Sequence, residues 1–116
     1  STPLQALLLM NDTTYIEAAR KLAERVMTEG GTTFETRLER AHRIVLARGA
    51  EAREANVLRG IFDDALEKFR RDPAAARKLI ETGRAPRSAG LDDAQLAAWT
   101  VLTSVLMNLD EAVTKG

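Results

Sequence analysis

Apolar residues in this chain recur at intervals of three and four, never in sustained alternation, so the pattern predicts helices and no strands. Thr2 as N-cap and Pro3 at the first turn open a short apolar helix over residues 3–10, which Asn11 and Asp12 stop. Asp12 then caps a second helix near 13–29, with Ile16, Ala19, Ala23 and Val26 on one face and Gly30-Gly31 at its end. Thr32 and Glu35 have capping-box spacing ahead of Phe34, Leu38, Ala41 and Val45, which predicts a third helix ending near Arg48 and Gly49.

A fourth, longer helix is expected from about Glu51 to Arg71, with Ala55, Leu58, Phe62, Ala65, Leu66 and Phe69 as a wide apolar stripe. Gly60 interrupts it at about 1 kcal/mol relative to Ala, and is expected to mark a close helix crossing. Asp72-Pro73 starts a short fifth helix that Gly83 terminates, and the Pro, Ser and Gly cluster of residues 84–91 is the main loop. Asp92 and Gln95 repeat the capping-box spacing before a last helix over 93–115.

That last helix is apolar nearly all round, which is the pattern of an element surrounded by other helices. Its uncharged run from Ala94 to Leu109 is shorter than the ~20 residues needed to span a bilayer. Its interior Thr100, Thr103 and Ser104 are expected to bond back to the preceding turn. The fold expected is therefore all-α, a compact bundle of five or six helices in one domain over 1–116, with the C-terminal helix buried at its centre.

Composition narrows the chemistry. Basic and acidic residues both number 17, so no long-range field of one sign draws the chain toward nucleic acid or an anionic membrane. The absence of cysteine excludes a disulfide, a thiolate metal site, a covalently attached c-type haem and a cysteine nucleophile, and no cofactor is expected. Ser1-Thr2-Pro3-Leu4 has neither a basic region nor a cleavage site of a signal peptide, and is expected to have been cut from a longer chain.

Two stretches carry a family resemblance. The opening TPLQALLLMNDTTYIEAARKLAERV and the closing AAWTVLTSVLMNLDEAVTKG resemble the C-terminal part of the planctomycete cytochrome-associated domain of unknown function, and the middle RLERAHRIVLARGAEAREANVL is similar to that family as well. Matching positions include residues 2–7, Asn11, Asp12, Arg20, Arg37, Arg48, Glu54, Trp99, Asn108, Asp110 and Glu111. Thr13 stands where the family usually has Pro, and Gly49-Ala50 replaces a Pro-Pro-like turn. The resemblance implies a setting: large exported proteins, combined with cytochrome-like and carbohydrate-related modules and associated with polysaccharide breakdown. It implies no catalytic residue and no assigned activity.

Individual residues point mainly to structure. His42 is the sole histidine, with no second His or Cys to complete a site, and reads as structural. The pairs Asp63-Asp64, Asp92-Asp93 and Asp110-Glu111 point about 100° apart on a helix, so neither member of a pair converges on one bond as glycoside chemistry needs. Asp110 and Glu111 lie near a helix C-terminus, where acids are unfavourable without a partner. A buried polar clamp of Asn108, Asp110 and Glu111 with Arg20, Arg37 or Arg48 is therefore expected. Trp99, one turn into the most apolar helix, reads as core and not as a sugar-stacking platform.

The segment 68–87 holds seven basic residues against two acidic, a local charge of +5 balanced by −5 elsewhere. Arg70, Arg71, Arg77, Lys78, Arg84 and Arg87 could hold sulfate or phosphate groups, since Arg forks onto oxyanions. No aromatic interleaving accompanies them, so nucleic acid is a poor match. The function expected is a non-catalytic helical module of a large exported protein, with the parent's other modules as partners. The alternative is an anion or sulfated-glycan binding module, with sulfated polysaccharide as its partner.

Overall fold

The structure, a computed structural model, describes residues 13–115, and of residues 111–115 the backbone alone. The helix expected over residues 3–10, with its caps Thr2, Asn11 and Asp12, lies outside the described residues. Within them the chain forms α1 (Thr13–Glu29), α2 (Phe34–Leu46), α3 (Ala52–Arg71), α4 (Pro73–Ile80) and α5 (Asp93–Lys115), and no strand.

The C-terminal helix α5 packs against all four others, as its all-round apolar sequence requires. Leu96, Ala97, Ala98, Trp99, Val101, Leu102 and Leu106 are buried along it. Full burial of each large side chain contributes roughly 1.5–3 kcal/mol. Ala19, Ala23 and Val26 of α1, Leu38 and Ala41 of α2, Leu58, Phe62, Ala65 and Phe69 of α3, and Ala76 and Ile80 of α4 close around it.

The hydroxyls inside α5 find acceptors without leaving the helix. Thr100 Oγ1 donates to Leu96 O at 2.7 Å and Ser104 Oγ to Val101 O at 2.7 Å. Thr103 does this and more: its hydroxyl lies 3.1 Å from Thr100 O and 2.8 Å from Ala19 O, tying α5 to the middle of α1. No helix among the described residues is long and apolar enough to cross a membrane.

Helix ends follow side chains that the spacing alone misplaces. The cap of α2 is Thr33, not Thr32: its backbone is extended and its hydroxyl accepts from Thr36 N at 3.1 Å. Phe34 is the first helical residue because its ring is held between Phe62 and Trp99, at centroid distances of 5.1 and 5.3 Å. The same helix stops at Leu46, short of Arg48, because Ala47 adopts a left-handed conformation at φ 59°. Beyond that corner Arg48 forks onto Glu54, with both contacts at 2.7 Å, and Glu54 also accepts from Glu51 N at 3.2 Å at the start of α3. Asp72 caps α4 through Ala75 N, at 3.1 Å, and Asp92 caps α5 through Gln95 N, at 2.9 Å. Helix α4 ends at Ile80, three residues before Gly83.

Gly60 does not mark a helix crossing. It is exposed on α3, and a Cβ built there meets no atom within 4 Å. Gly60→Ala should therefore stabilise the domain by about 0.5–1 kcal/mol through the lower entropy of the unfolded chain, read as a rise in the urea midpoint. A fall would mean that this face is covered.

Candidate functional site

The most organised polar cluster joins one face of α1 to the loop after α4. Glu17, Arg20 and Glu24 have the i, i+3, i+7 spacing of a helical stripe, beside the core-facing Ala19 and Ala23. That position carries Arg20 inside, at 0% exposure, the only fully buried charged side chain apart from the neutral-capable His42 among the described residues. A guanidinium there is tolerated only when paired and hydrogen-bonded. Its Nη2 donates to Ala85 O at 2.6 Å, and its Nη1 to Pro86 O at 3.2 Å and to Glu24 Oε2 at 2.9 Å.

The two carboxylates hold the opposite half of the same backbone. Glu17 Oε2 accepts from Arg84 N at 3.2 Å and Ala85 N at 3.0 Å, and Glu24 Oε2 accepts from Ser88 N at 2.7 Å. The Ala85 amide, together with that of Arg84 and the nearby Lys21 and Arg20 charges, outweighs partial burial and holds the Glu17 carboxyl below its ordinary range. Gly83 allows this close approach: its φ is +98°, and a Cβ would stand 2.7 Å from the Glu17 carboxyl carbon. Further along, Arg87 pairs with Asp93 at the start of α5 and donates to Leu91 O at 2.8 Å. The loop is thus fastened at both ends by side chains that bond its main chain.

The arginines expected in a clamp at the end of α5 are held elsewhere, one of them in this latch. Asp110 is exposed, Asn108 is half-buried, and the side chain of Glu111 lies outside the described residues. Among the described residues, none of the three arginines bonds Asn108 or Asp110. Arg20 is held in the latch; Arg37 donates to Met27 O at 3.2 Å, Gly31 O at 3.0 Å and Gln95 Oε1 at 3.4 Å, capping the C-terminal end of α1; Arg48 is held by Glu54.

Three of the six basic residues expected to hold an anion are already ion-paired. Arg70 pairs with Asp92 at 2.9 Å, Arg71 with Glu67, and Arg87 with Asp93. Arg77, Lys78 and Arg84 are exposed, and their side chains have no carboxylate partner among the described residues. Of the acidic pairs, Asp63 bonds Arg59, Asp92 caps α5 and pairs with Arg70, and Asp93 meets Arg87; Asp92 and Asp93 both border the hollow beside Phe69 and Pro73, each already held by its own arginine.

Trp99 is core, 1% exposed, in a cluster with Phe34 and Phe62. His42 is fully buried, and neither ring nitrogen has a hydrogen-bond partner. Burial depresses its pKa, the Glu54 and Glu39 charges oppose that shift, and Arg48 reinforces it. The unfolded chain then takes up a proton at higher pH than the folded one. Stability should fall as pH drops from about 7 through the ordinary histidine range, at no more than ~1.4 kcal/mol per unit for one proton. The carboxylates act in a lower window: the Arg25 and Arg40 pairs hold Glu29 at about 2, and the Arg48 fork holds Glu54 at about 2, so their contribution is present above the ordinary carboxyl pKa and is lost as pH falls from there toward about 2. In His42→Leu, urea midpoints at pH 7, 6 and 5 should lose the upper slope; an unchanged slope would assign it to another group.

Among the described residues no group of three or more His, Asp or Glu is placed to hold a metal ion. Residues 1–62 match the model of a family described as PSD1, a protein of unknown function (DUF1553). No curated protein and no solved structure matches the chain.

Proposed function

We propose that this chain, which belongs to the PSD1 family of proteins of unknown function, is a non-catalytic helical module of a larger exported protein, packing against the parent's other modules. The observation that carries this reading is the latch. The one guanidinium buried in the bundle, with the two carboxylates that flank it on α1, bonds the domain's own backbone, so its best-placed polar groups serve rigidity. The exported setting and the link to polysaccharide breakdown rest on the family resemblance.

Packing against a neighbour needs apolar surface, and Val57 on α3 supplies some at 61% exposure. A groove between α2 and α3 of about 340 Å³, lined by Phe34, Leu38, Ala50 and Ala55, supplies more. The parent protein lacking these 116 residues should bind the isolated domain in trans, and Val57→Asp should weaken that complex roughly tenfold, the equivalent of one buried valine. A folded domain that fails to associate with the rest of its parent would overturn the reading.

Anion or sulfated-glycan binding is the second reading, favoured by Arg77, Lys78 and Arg84, which are exposed and have no carboxylate partner among the described residues. It requires Arg70, Arg71 and Arg87 to exchange their carboxylates for ligand. Binding to a sulfated polysaccharide should then persist at about 0.15 M salt, where screening shortens to ~8 Å, and weaken in an Arg77→Ala, Lys78→Ala double variant. Loss of all binding at that salt would dismiss it.

A further inference from the structure

A second groove, of about 330 Å³, opens where the first turns of α1 meet the end of α3 and the outer face of α4. Its floor is apolar, made by Ile16, Phe69, Ala75 and Leu79. Two lysines, Lys68 and Lys78, line it as well, and both are exposed with no carboxylate partner among the described residues. Lys68 Nζ stands 5.8 Å from the centroid of the Phe69 ring, so its charge lies against the apolar floor.

The α2–α3 groove has nearly the same size but different electrostatics. Its charged groups already satisfy one another: Arg59 meets Asp63 at 3.2 Å and Glu35 at 3.4 Å, and Glu39 meets Arg43 at 2.8 Å. In the lysine-lined groove two like charges border one hollow, with no ion-pair partner for either among the described residues. That arrangement is unfavourable for the protein alone and favourable for a ligand that brings an anion and a short apolar body. Ligand sites are mostly apolar hollows of roughly 300–1,000 Å³ with a few placed polar groups, and this groove has that character.

We propose that the groove formed by Ile16, Phe69, Ala75 and Leu79 under Lys68 and Lys78 binds a small amphiphilic anion, a medium-chain carboxylate. The carboxylate lies between the two ammonium groups and accepts charge-assisted hydrogen bonds, and the alkyl chain covers the apolar floor. The site goes beyond the packing reading and does not depend on it. It shares Lys78 with the glycan reading but differs in requiring the apolar part of the ligand.

Sodium octanoate, sodium sulfate and octan-1-ol, each titrated into the ¹⁵N-labelled chain and followed by amide chemical shifts, test it. Octanoate should shift the amides of Ile16, Phe69, Ala75 and Leu79 in a saturable manner, with sulfate and octanol each binding at least tenfold more weakly. Lys68→Gln with Lys78→Gln should raise the octanoate Kd roughly tenfold, as loss of the charged partners implies. Ala75→Gln, which keeps both lysines and fills the floor, should also block octanoate. Equal response to sulfate would reduce the site to a plain cationic surface and overturn the proposal. So would shifts confined to other regions, or octanoate affinity unchanged in both variants. Because the packing reading is tested by association with the parent chain, either can fail without the other.

Discussion

Arg20→Leu should lower the stability of the domain by about 3–5 kcal/mol, the usual effect of removing one partner from a buried, hydrogen-bonded charge cluster. Three groups lose their donor at once: the carbonyls of Ala85 and Pro86 and the Glu24 carboxylate, whose side chain is 13% exposed. Glu24 would then be a partly buried anion held by the Ser88 amide alone. For a chain of this size each kcal/mol moves the thermal midpoint by roughly 4 °C or more, so a drop on the order of 15 °C is expected, read by circular dichroism. Arg20→Lys should fall between the two, since one ammonium cannot reproduce a fork onto two carbonyls and a carboxylate. A loss below about 1 kcal/mol would mean that the loop relaxes into water without cost, and that the latch is not a determinant of the fold.

Trp99→Ala should be comparably severe, about 3–5 kcal/mol, because the indole fills the space between α2, α3 and α5. Its ring lies 4.9 Å from Phe62 and 5.3 Å from Phe34, centroid to centroid, and Phe34 is in turn covered by the Arg59 guanidinium at 4.5 Å. Removing the indole takes away the central member of that stack, and with it the contact that sets where α2 begins. Trp99→Phe should cost much less, since the indole Nε1 has no acceptor and the phenyl ring keeps the aromatic contacts. Chevron or equilibrium urea curves of both variants, followed by circular dichroism, separate the two cases. Equal losses would show that the phenyl ring does not restore the contacts, and that the indole itself governs the effect.

Much of the bundle was legible because helix signals are local. Asp72-Pro73, Asp92 with Gln95, and Gly30-Gly31 each act within four residues, and each stands where its chemistry predicts. The centrality of α5 was legible for a related reason: a stretch with no charge from Ala94 to Leu109 leaves no face to present to water. What failed were inferences about which distant groups meet. Arg20, Arg37 or Arg48 was expected to pair with Asp110 and Glu111, and Gly60 to mark a crossing, because sequence gives the need for a partner and not its address. The latch had a faint signal in the Glu17, Arg20, Glu24 stripe and in Gly83 ahead of an Arg-Ala-Pro loop. Nothing local says that the acceptors are main-chain groups more than sixty residues away.

That separation bears on what the smallest foldable piece of this chain is. The family match ends at residue 62, within α3. A polypeptide of that length would contain Glu17, Arg20 and Glu24 but none of the backbone from Arg84 to Ser88 that they bind, and no α5 for α1, α2 and α3 to surround. The matched segment is therefore a region of sequence likeness and not an autonomous folding unit.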